Sequence, residues 1–363
     1  MAVERRRSPG GAGHLGRWRT SDTVRMSGVL LLILAVAGSP AGLAGSTPGR
    51  PPVRAYVSNE FGGDITVIET GADRIIGRVP VGPAGTARPR GMALSPDGRM
   101  LYAAVTDATY GQNEAGRQWQ FIAAIDVAAG KIKTRYRCGS DPERLAVSPD
   151  GRRLYCSNED AAGMSIMDVA TGKVIATVRT GIEPEGIGIS PDGRWVYVAS
   201  ETSNTVTVIE TRHDTSVRNI LVPGRPRIAE FAPDGGRVYV TSETAGTLTV
   251  LDATRQAAAK TIALGSDSKP VGIAVAPDGR TVYVAGGRCN CIAVVDSRAF
   301  AVSYVVQRMG RRPWGVAVTP DGKRVYTANG RSDDVTVIDT GSREVIRTID
   351  RVGRGPHSVV IGR

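Results

Sequence analysis

A tyrosine followed thirteen residues later by an acid recurs along this 363-residue chain: Tyr56 to Glu69, Tyr155 to Asp168, Tyr197 to Glu210, Tyr239 to Asp252, Tyr283 to Asp296 and Tyr326 to Asp339. A seventh copy, Tyr102 to Asp126, carries eleven extra residues. Self-similarity at a period of about forty residues marks a propeller or solenoid, whose units bury their faces only against their neighbours. One repeating unit runs from Arg54 to Arg363, so the chain reads as a single domain behind a leader. Abundant Gly, at 45 residues, with few aromatics beyond the phased tyrosines, fits short strands joined by tight turns.

Each unit opens with a Pro and a short apolar stretch, then turns through a Pro-Asp-Gly such as Pro191-Asp192-Gly193. Pro presets the first turn residue and Gly accepts positive φ, which makes the tripeptide a hairpin turn. The turn recurs at Asp97, Asp150, Asp192, Asp234, Asp278 and Asp321, and the repeat tyrosine follows each time five residues later. A second strand starts near the tyrosine, a third alternates β-branched residues into the acid, and a fourth ends at Gly82, Gly139, Gly181, Gly224, Gly265, Gly310 or Gly353. The chain is therefore expected to be all-β, a seven-bladed β-propeller of four-stranded antiparallel blades. The first blade enters directly at Ala55-Tyr56-Val57, while Pro356 to Ile361 has the opening pattern and no tyrosine after it. The C-terminus should thus supply the innermost strand of the N-terminal blade, which closes the ring and removes its open edges.

Ahead of the repeats, Ser27 to Gly38 is a short apolar run preceded by Arg17, Arg19 and Arg25 and followed by small residues through Ala44. That pattern reads as a signal peptide over residues 1–44, a short linker over 45–53 and the propeller over 54–363. A signal anchor is the competing reading, and Met26 an alternative start. The expected compartment is periplasmic or secreted, with no stable membrane span after signal cleavage. Loss of residues 1–44 removes six Arg and two acids and lowers the formal charge from +11 to +7. The remaining Lys and Arg are scattered among acids without a basic run, so nucleic acid is not expected as a partner.

Segments such as Ala55-Tyr56-Val57-Ser58-Asn59 and Val325-Tyr326-Thr327-Ala328-Asn329 resemble the YVTN repeat over essentially all of the mature chain. Gly139 to Glu143, Ser157 to Ala162, Glu183 to Gly186, Arg225 to Phe231 and Arg312 to Gly315 are similar to the PQQ-dependent catabolism-associated β-propeller proteins. That resemblance implies an exported seven-bladed propeller working beside transport and quinoprotein alcohol oxidation, with a quinoprotein dehydrogenase or a transport system as partner. It brings no assigned catalytic residue. The blade-two insertion and the cysteine-bearing loop of blade six depart from it.

Positions that break the repeat are where function is sought. The residue after each repeat proline begins the innermost strand at one mouth of the channel: Arg90, Glu143, Glu185, Arg227, Val271, Trp314 and His357. Unlike side chains converging on a funnel suit a ligand site, whereas their mutual pairing at a solvated rim is the bland alternative. Glu60, Glu159, Glu201 and Glu243 share one position in the loop after the second strand, on the same face. Gly287 and Gly330 replace them in blades six and seven. These rim carboxylates suit a cation or a basic partner, or reflect inheritance of the repeat. The insertion from Asp107 to Gln120 is expected to bring Tyr110, Arg117 and Trp119 over this face as a partner-binding loop. Glu230 stands where other blades carry small residues and needs a partner such as Arg227 or Arg144.

Two mature histidines, His213 and His357, do not make a His-rich metal cage, and Cys289 and Cys291 are read as a local disulfide or a soft-metal pair. Cys138 and Cys156, in blades two and three, lie across the ring from them. No catalytic residue, cofactor or metal is assigned. The expected role is a non-enzymatic module that binds a small molecule or protein partner on the mouth face. The alternative is an enzyme, either a quinoprotein-like oxidoreductase subunit or a propeller-type lactone hydrolase. Few tryptophans argue against a quinoprotein, and no Gly-x-Ser-x-Gly elbow against a serine hydrolase.

Overall fold

The structure, a computed structural model, describes residues 52–107 and 119–362. The leader and most of the linker, with Tyr110 and Arg117, lie outside the described residues. Seven four-stranded antiparallel sheets form the ring. Blade 1 orders its strands as β28 (Pro356–Gly362), β1 (Arg54–Asn59), β2 (Asp64–Glu69) and β3 (Arg74–Pro80). Closure by the C-terminal strand is therefore as expected, with Tyr56 opposite Val360 and Val57 opposite Val359. Blades 2 to 7 begin on the innermost strands β4 (Ala87–Leu94), β8 (Pro142–Val147), β12 (Pro184–Ile189), β16 (Pro226–Phe231), β20 (Pro270–Val275) and β24 (Pro313–Val318). No helix among the described residues is long and apolar enough to cross a membrane.

Turn chemistry explains the register. Asp150 and Asp192 each accept a hydrogen bond from the backbone N–H two residues on and from the hydroxyl of Ser148 or Ser190, so the hairpin is set before the strands pair. Blade-end acids cap the next turn in the same way: Asp252 accepts from the N–H groups of Thr254 and Arg255, and Asp296 from those of Arg298 and Ala299. The repeat tyrosines are buried between blades. Tyr197 donates to the Ala253 carbonyl of the following blade at 3.4 Å, and Tyr326 to the Thr70 carbonyl at 3.3 Å across the closure. Arg153, Arg237 and Arg324 make parallel ties to Thr211, Ser297 and Thr70.

Innermost strands of neighbouring blades pack side by side, and two kinds of joint hold them. In blades 1, 3 and 5 a hydroxyl two residues after the tyrosine donates to the carbonyl of the next blade's mouth residue: Ser58 to Arg90, Ser157 to Glu185 and Thr241 to Val271, at 2.6–2.7 Å. In blades 2, 4, 6 and 7 that position is Ala, and the second residue after the proline is Gly. A methyl added at Gly91, Gly186, Gly272 or Gly315 would collide with the carbonyl of Glu143, Arg227, Trp314 or His357 in the next blade. The Pro-x-Gly motif thus records backbone contact between strands.

Gly186→Ala is expected to destabilise the protein by about 1–3 kcal/mol through overpacking, and Ser157→Ala by about 1 kcal/mol through the lost hydrogen bond, both read from urea denaturation. Deletion of residues 353–362 is expected to expose the edge of β1 and abolish cooperative unfolding; a soluble, cooperative product by light scattering and thermal melts would contradict the structural role of the closing strand.

Candidate functional site

The mouth of the channel is a cavity of about 410 Å3 lined by Glu, Arg, Trp and His side chains. Three rings of backbone positions build it. The first follows the repeat proline and contributes Arg90, Glu143, Glu185, Arg227, Trp314 and His357; Val271, in the same ring, is buried and not part of the wall. The second is the loop position of Glu60, Glu159 and Glu201, all in the wall, with Glu243 just behind in contact with Arg225, Arg227 and Arg312. The structure therefore brings together the mouth and rim residues named from the sequence.

The third ring was missed. It is the residue before the repeat proline, which contributes Arg88, Glu183, Arg225 and Arg312 to the wall. In six blades this residue adopts positive φ, 47–64°, at Asp141, Glu183, Arg225, Lys269, Arg312 and Gly355. A residue preceding proline ordinarily prefers an extended conformation, and a non-glycine residue at positive φ costs about 1–3 kcal/mol. Each turned carbonyl is used: those of Gly355, Asp141, Glu183, Arg225, Lys269 and Arg312 accept the N–H of Glu60, Glu159, Glu201, Glu243, Gly287 and Gly330 at 2.8–3.0 Å. The pre-proline kink thus sets the height of the rim residue, and the signal available in the sequence was the uniform Pro itself, read one residue earlier.

Blades 6 and 7 carry glycine in place of the rim glutamate, and in blade 7 the reason is steric. A side chain at Gly330 would meet the Trp314 indole, whereas one at Gly287 would make only ordinary contact with Arg312. Trp314 carries Arg227 at 5.1 Å and Arg312 at 4.5 Å from its ring centroid, within cation–π range, and lies 5.3 Å from the His357 ring.

Two arginines act as hubs. Arg90 of blade 2 pairs with Glu60 of blade 1 at 3.1 Å, with Glu159 of blade 3 at 3.5 Å, and with Glu143. Arg227 of blade 5 pairs with Glu185 at 2.9 Å and Glu243 at 3.7 Å, and with Glu201. Arg88 adds a bond to Glu60, and Arg225 one to Glu201. Both hubs, with Glu143, Glu185, Glu201 and His357, are less than a tenth exposed. Isolated burial of each ion costs several kcal/mol, which only dense pairing offsets.

That pairing is uneven, and proton affinities follow it. Burial opposes the charge on Glu60, but His357 once protonated, Arg90 and Arg88 outweigh it and hold the carboxyl at about 2. Burial, reinforced by Glu185 and only partly offset by arginine, raises Glu159 and Glu201 to about 7. Burial and the repulsion of Arg90 and Arg144 push His357 down to about 3, so its imidazole is neutral at neutral pH. Deeper in the channel, burial raises Glu230 to about 7 with Arg144 as its opposing charge; Arg227, the other expected partner, is committed to the rim glutamates.

Three carboxylates, Asp141, Glu143 and Glu159, have oxygens within 4.8 Å of one another, but Arg90 is bonded to two of them, where a divalent cation would sit. Trp119 is half-buried at the end of the insertion, against Gly82 and 6.1 Å from the Phe121 ring. His213 is exposed and paired with Glu210 at 2.7 Å. Cys289 and Cys291 form a disulfide around Asn290, whose side-chain oxygen accepts the Arg312 N–H at 2.8 Å. Cys138 packs in one hydrophobic cluster with Cys156, and burial followed by that neighbouring thiol raises Cys156 well above the usual thiol range.

The fold and site define a seven-bladed β-propeller with a polar channel mouth. Family models agree: one described as "Lactonase, 7-bladed beta-propeller" matches residues 222–352, and one described as "YNCE-like beta-propeller" matches residues 123–277. No curated protein sequence matches the chain significantly. Among solved structures, the chain is similar to a functionally unknown protein from Desulfotomaculum acetoxidans, with a TM-score of 0.71 at 16% identity over 85% of this chain and 98% of that one. It is also similar to Kuenenia stuttgartiensis hydrazine synthase, with a TM-score of 0.67 at 21% identity over 78% and 92% of the two chains. The dihydro-heme d1 dehydrogenase NirN in complex with DHE gives a TM-score of 0.61 at 18% identity over 85% and 74%. These likenesses establish the fold.

Glu201→Gln tests the electrostatics. A carboxyl raised from 4.5 to about 7 favours the folded state fully below pH 4.5, and that contribution is lost as the pH rises through 7. Relative to wild type, the Gln variant should therefore gain on the order of 2–3 kcal/mol between pH 5 and pH 8, read from paired denaturation curves.

Proposed function

We propose that this protein is an exported, non-enzymatic binding module whose ligand site is the channel mouth. The observation that carries this reading is the convergence of three unlike rings on one cavity whose wall is only Glu, Arg, Trp and His. Those side chains are paired in fixed geometry by blades that cannot shift independently, which suits recognition of a small polar molecule. The YVTN and PQQ-associated motifs support an extracytoplasmic role beside a quinoprotein dehydrogenase or a transport system.

A second reading, lactone hydrolysis at the same mouth, is supported by the lactonase family model and by Glu159 and Glu201, whose affinity for protons near pH 7 suits a general base.

Arg227 is a poor probe of binding, because removing a buried hub costs about 3–5 kcal/mol in itself. Trp314→Ala and Arg312→Ala are the better pair. Native mass spectrometry of protein isolated from its own compartment should show a small-molecule adduct on wild type that both variants lose, with little change in melting temperature. Parallel loss of adduct and stability would make the mouth structural. Acid release from glucono-δ-lactone in a pH-stat, abolished by Glu159→Gln, would replace binding by the hydrolase reading.

A further inference from the structure

At the end of the channel away from the mouth, neighbouring blades are tied by a second joint, and the blade 1 joint differs from its counterparts. In blades 1, 3, 5 and 7 the residue two before the repeat tyrosine is an arginine: Arg54, Arg153, Arg237 and Arg324. Three of these are answered from the next blade. Arg153 bonds the Thr211 carbonyl at 2.9 Å and Asp214 at 2.8 Å, and Arg324 bonds the Thr70 carbonyl at 2.7 Å and Asp73 at 2.9 Å. Arg237 bonds the Ser297 carbonyl at 2.7 Å and lies 4.8 Å from the centroid of the Phe300 ring. Asp73, Asp214 and Phe300 hold one position, the fourth residue after the blade-end acid, and all three adopt positive φ, 50–53°.

For Arg54 that position is Gly130, also at positive φ, where a side chain would meet nothing within 4 Å. The donors show the consequence. Between blades 7 and 1, Asp73 accepts from both Arg324 and the Tyr326 hydroxyl. Between blades 1 and 2, Arg54 Nε and the Tyr56 hydroxyl are both buried without a hydrogen-bond partner among the described residues. The arginine and tyrosine that share a carboxylate in one joint thus lack it in the other, and unpaired buried donors are costly in a finished joint.

Arg54 also lines a cavity of about 630 Å3, with Met100, Val127 and Lys133 among the other wall residues. Cavities of this order hold small molecules. Ring closure accounts for its place. In blades 3 to 7 the turn glycine, from Gly151 to Gly322, lies against the turn proline of the blade before. Blade 1 has no such turn, because β28 pairs with β1 without a hairpin between them, so blade 2 lacks that neighbour. The two acids in the wall, Asp97 and Asp126, already accept backbone N–H groups of their own turns, from Arg99 at 3.0 Å and Ala129 at 2.8 Å. Arg54, Arg99 and Lys133 outnumber them, so the wall favours an anion, while Met100 and Val127 offer it apolar surface.

We propose that this inter-blade cavity is a second binding site, for a small monocarboxylate with an apolar body. The ligand carboxylate stands against Arg54 and Tyr56 as Asp73 stands against Arg324 and Tyr326, and the body lies over Met100 and Val127. A guanidinium binds a carboxylate in a fixed, charge-assisted geometry, so a neutral or cationic analogue of the same length is refused. The site is independent of the channel mouth.

Saturation-transfer difference NMR titrations of the full-length mature protein at pH 7.5 test this, with hexanoate as the probe and 1-hexanol and hexylamine as controls. Hexanoate should bind saturably, with 1-hexanol at least about tenfold weaker and hexylamine silent. Arg54→Gln should lower hexanoate affinity at least about tenfold. Gly130→Asp supplies the missing carboxylate at a φ that Asp73 and Asp214 already adopt, so it should abolish hexanoate binding and raise the melting temperature. Absence of saturable hexanoate binding overturns the proposal, as does an affinity that Gly130→Asp leaves unchanged or a site that prefers hexylamine. Binding lost on Arg312→Ala but kept in Arg54→Gln would place the carboxylate in the mouth and equally refute the second site. Should Arg54→Gln fail to fold, Gly130→Asp decides alone.

Discussion

The backbone contact between neighbouring innermost strands is the constraint on which the rest of this molecule depends. Each blade grips the carbonyl of the next blade's mouth residue, either with a hydroxyl as Ser157 grips Glu185 or by leaving out a side chain as Gly186 does for Arg227. Strands held at that distance leave no slack in the radius of the ring. The residue after each proline must then project into the funnel, whatever its charge, and its height is set by the same joint. The mouth is a consequence of packing before it is a site.

That rigidity explains how so many charges survive burial. Arg90 and Arg227 each reach glutamates from more than one position and blade, so each guanidinium is shared among several acids. Pre-positioned pairs lose little side-chain entropy on folding, and what remains is electrostatic. Burial, reinforced by the neighbouring Glu185 and only partly offset by the hubs, raises the proton affinity of Glu159 and Glu201 in blades 3 and 4. Glu60, beside His357 and paired with both Arg90 and Arg88, goes the other way.

Much of this was legible from residues alone, because turn chemistry and strand period are local. The Pro-Asp-Gly turns, the phased tyrosines and the orphan strand at Pro356 carried the blade count and the closure. The mouth residues were legible for a related reason: register placed them once the turn was known. What escaped was non-local or conformational. Arg225 and Arg312 precede prolines, where extended backbone is the ordinary expectation, and only the acceptor role of their carbonyls shows why they turn inward. Gly330 reads as a lost carboxylate, whereas it yields space to the Trp314 indole. Trp119, read from the sequence as part of a partner-binding loop, packs against Gly82.

Hydroxyl and glycine joints alternate around the ring from blade 1 to blade 6, and the ring has an odd number of members. A pattern of period two cannot close on seven. Like joints must meet once, and they meet where blades 6 and 7 both use glycine, at Trp314 and His357. The asymmetry of the mouth, aromatic on that side and acidic on the other, lies on the parity defect of the scaffold, so the one place where the repeat cannot obey its own rule is also where an unlike side chain costs the pattern least.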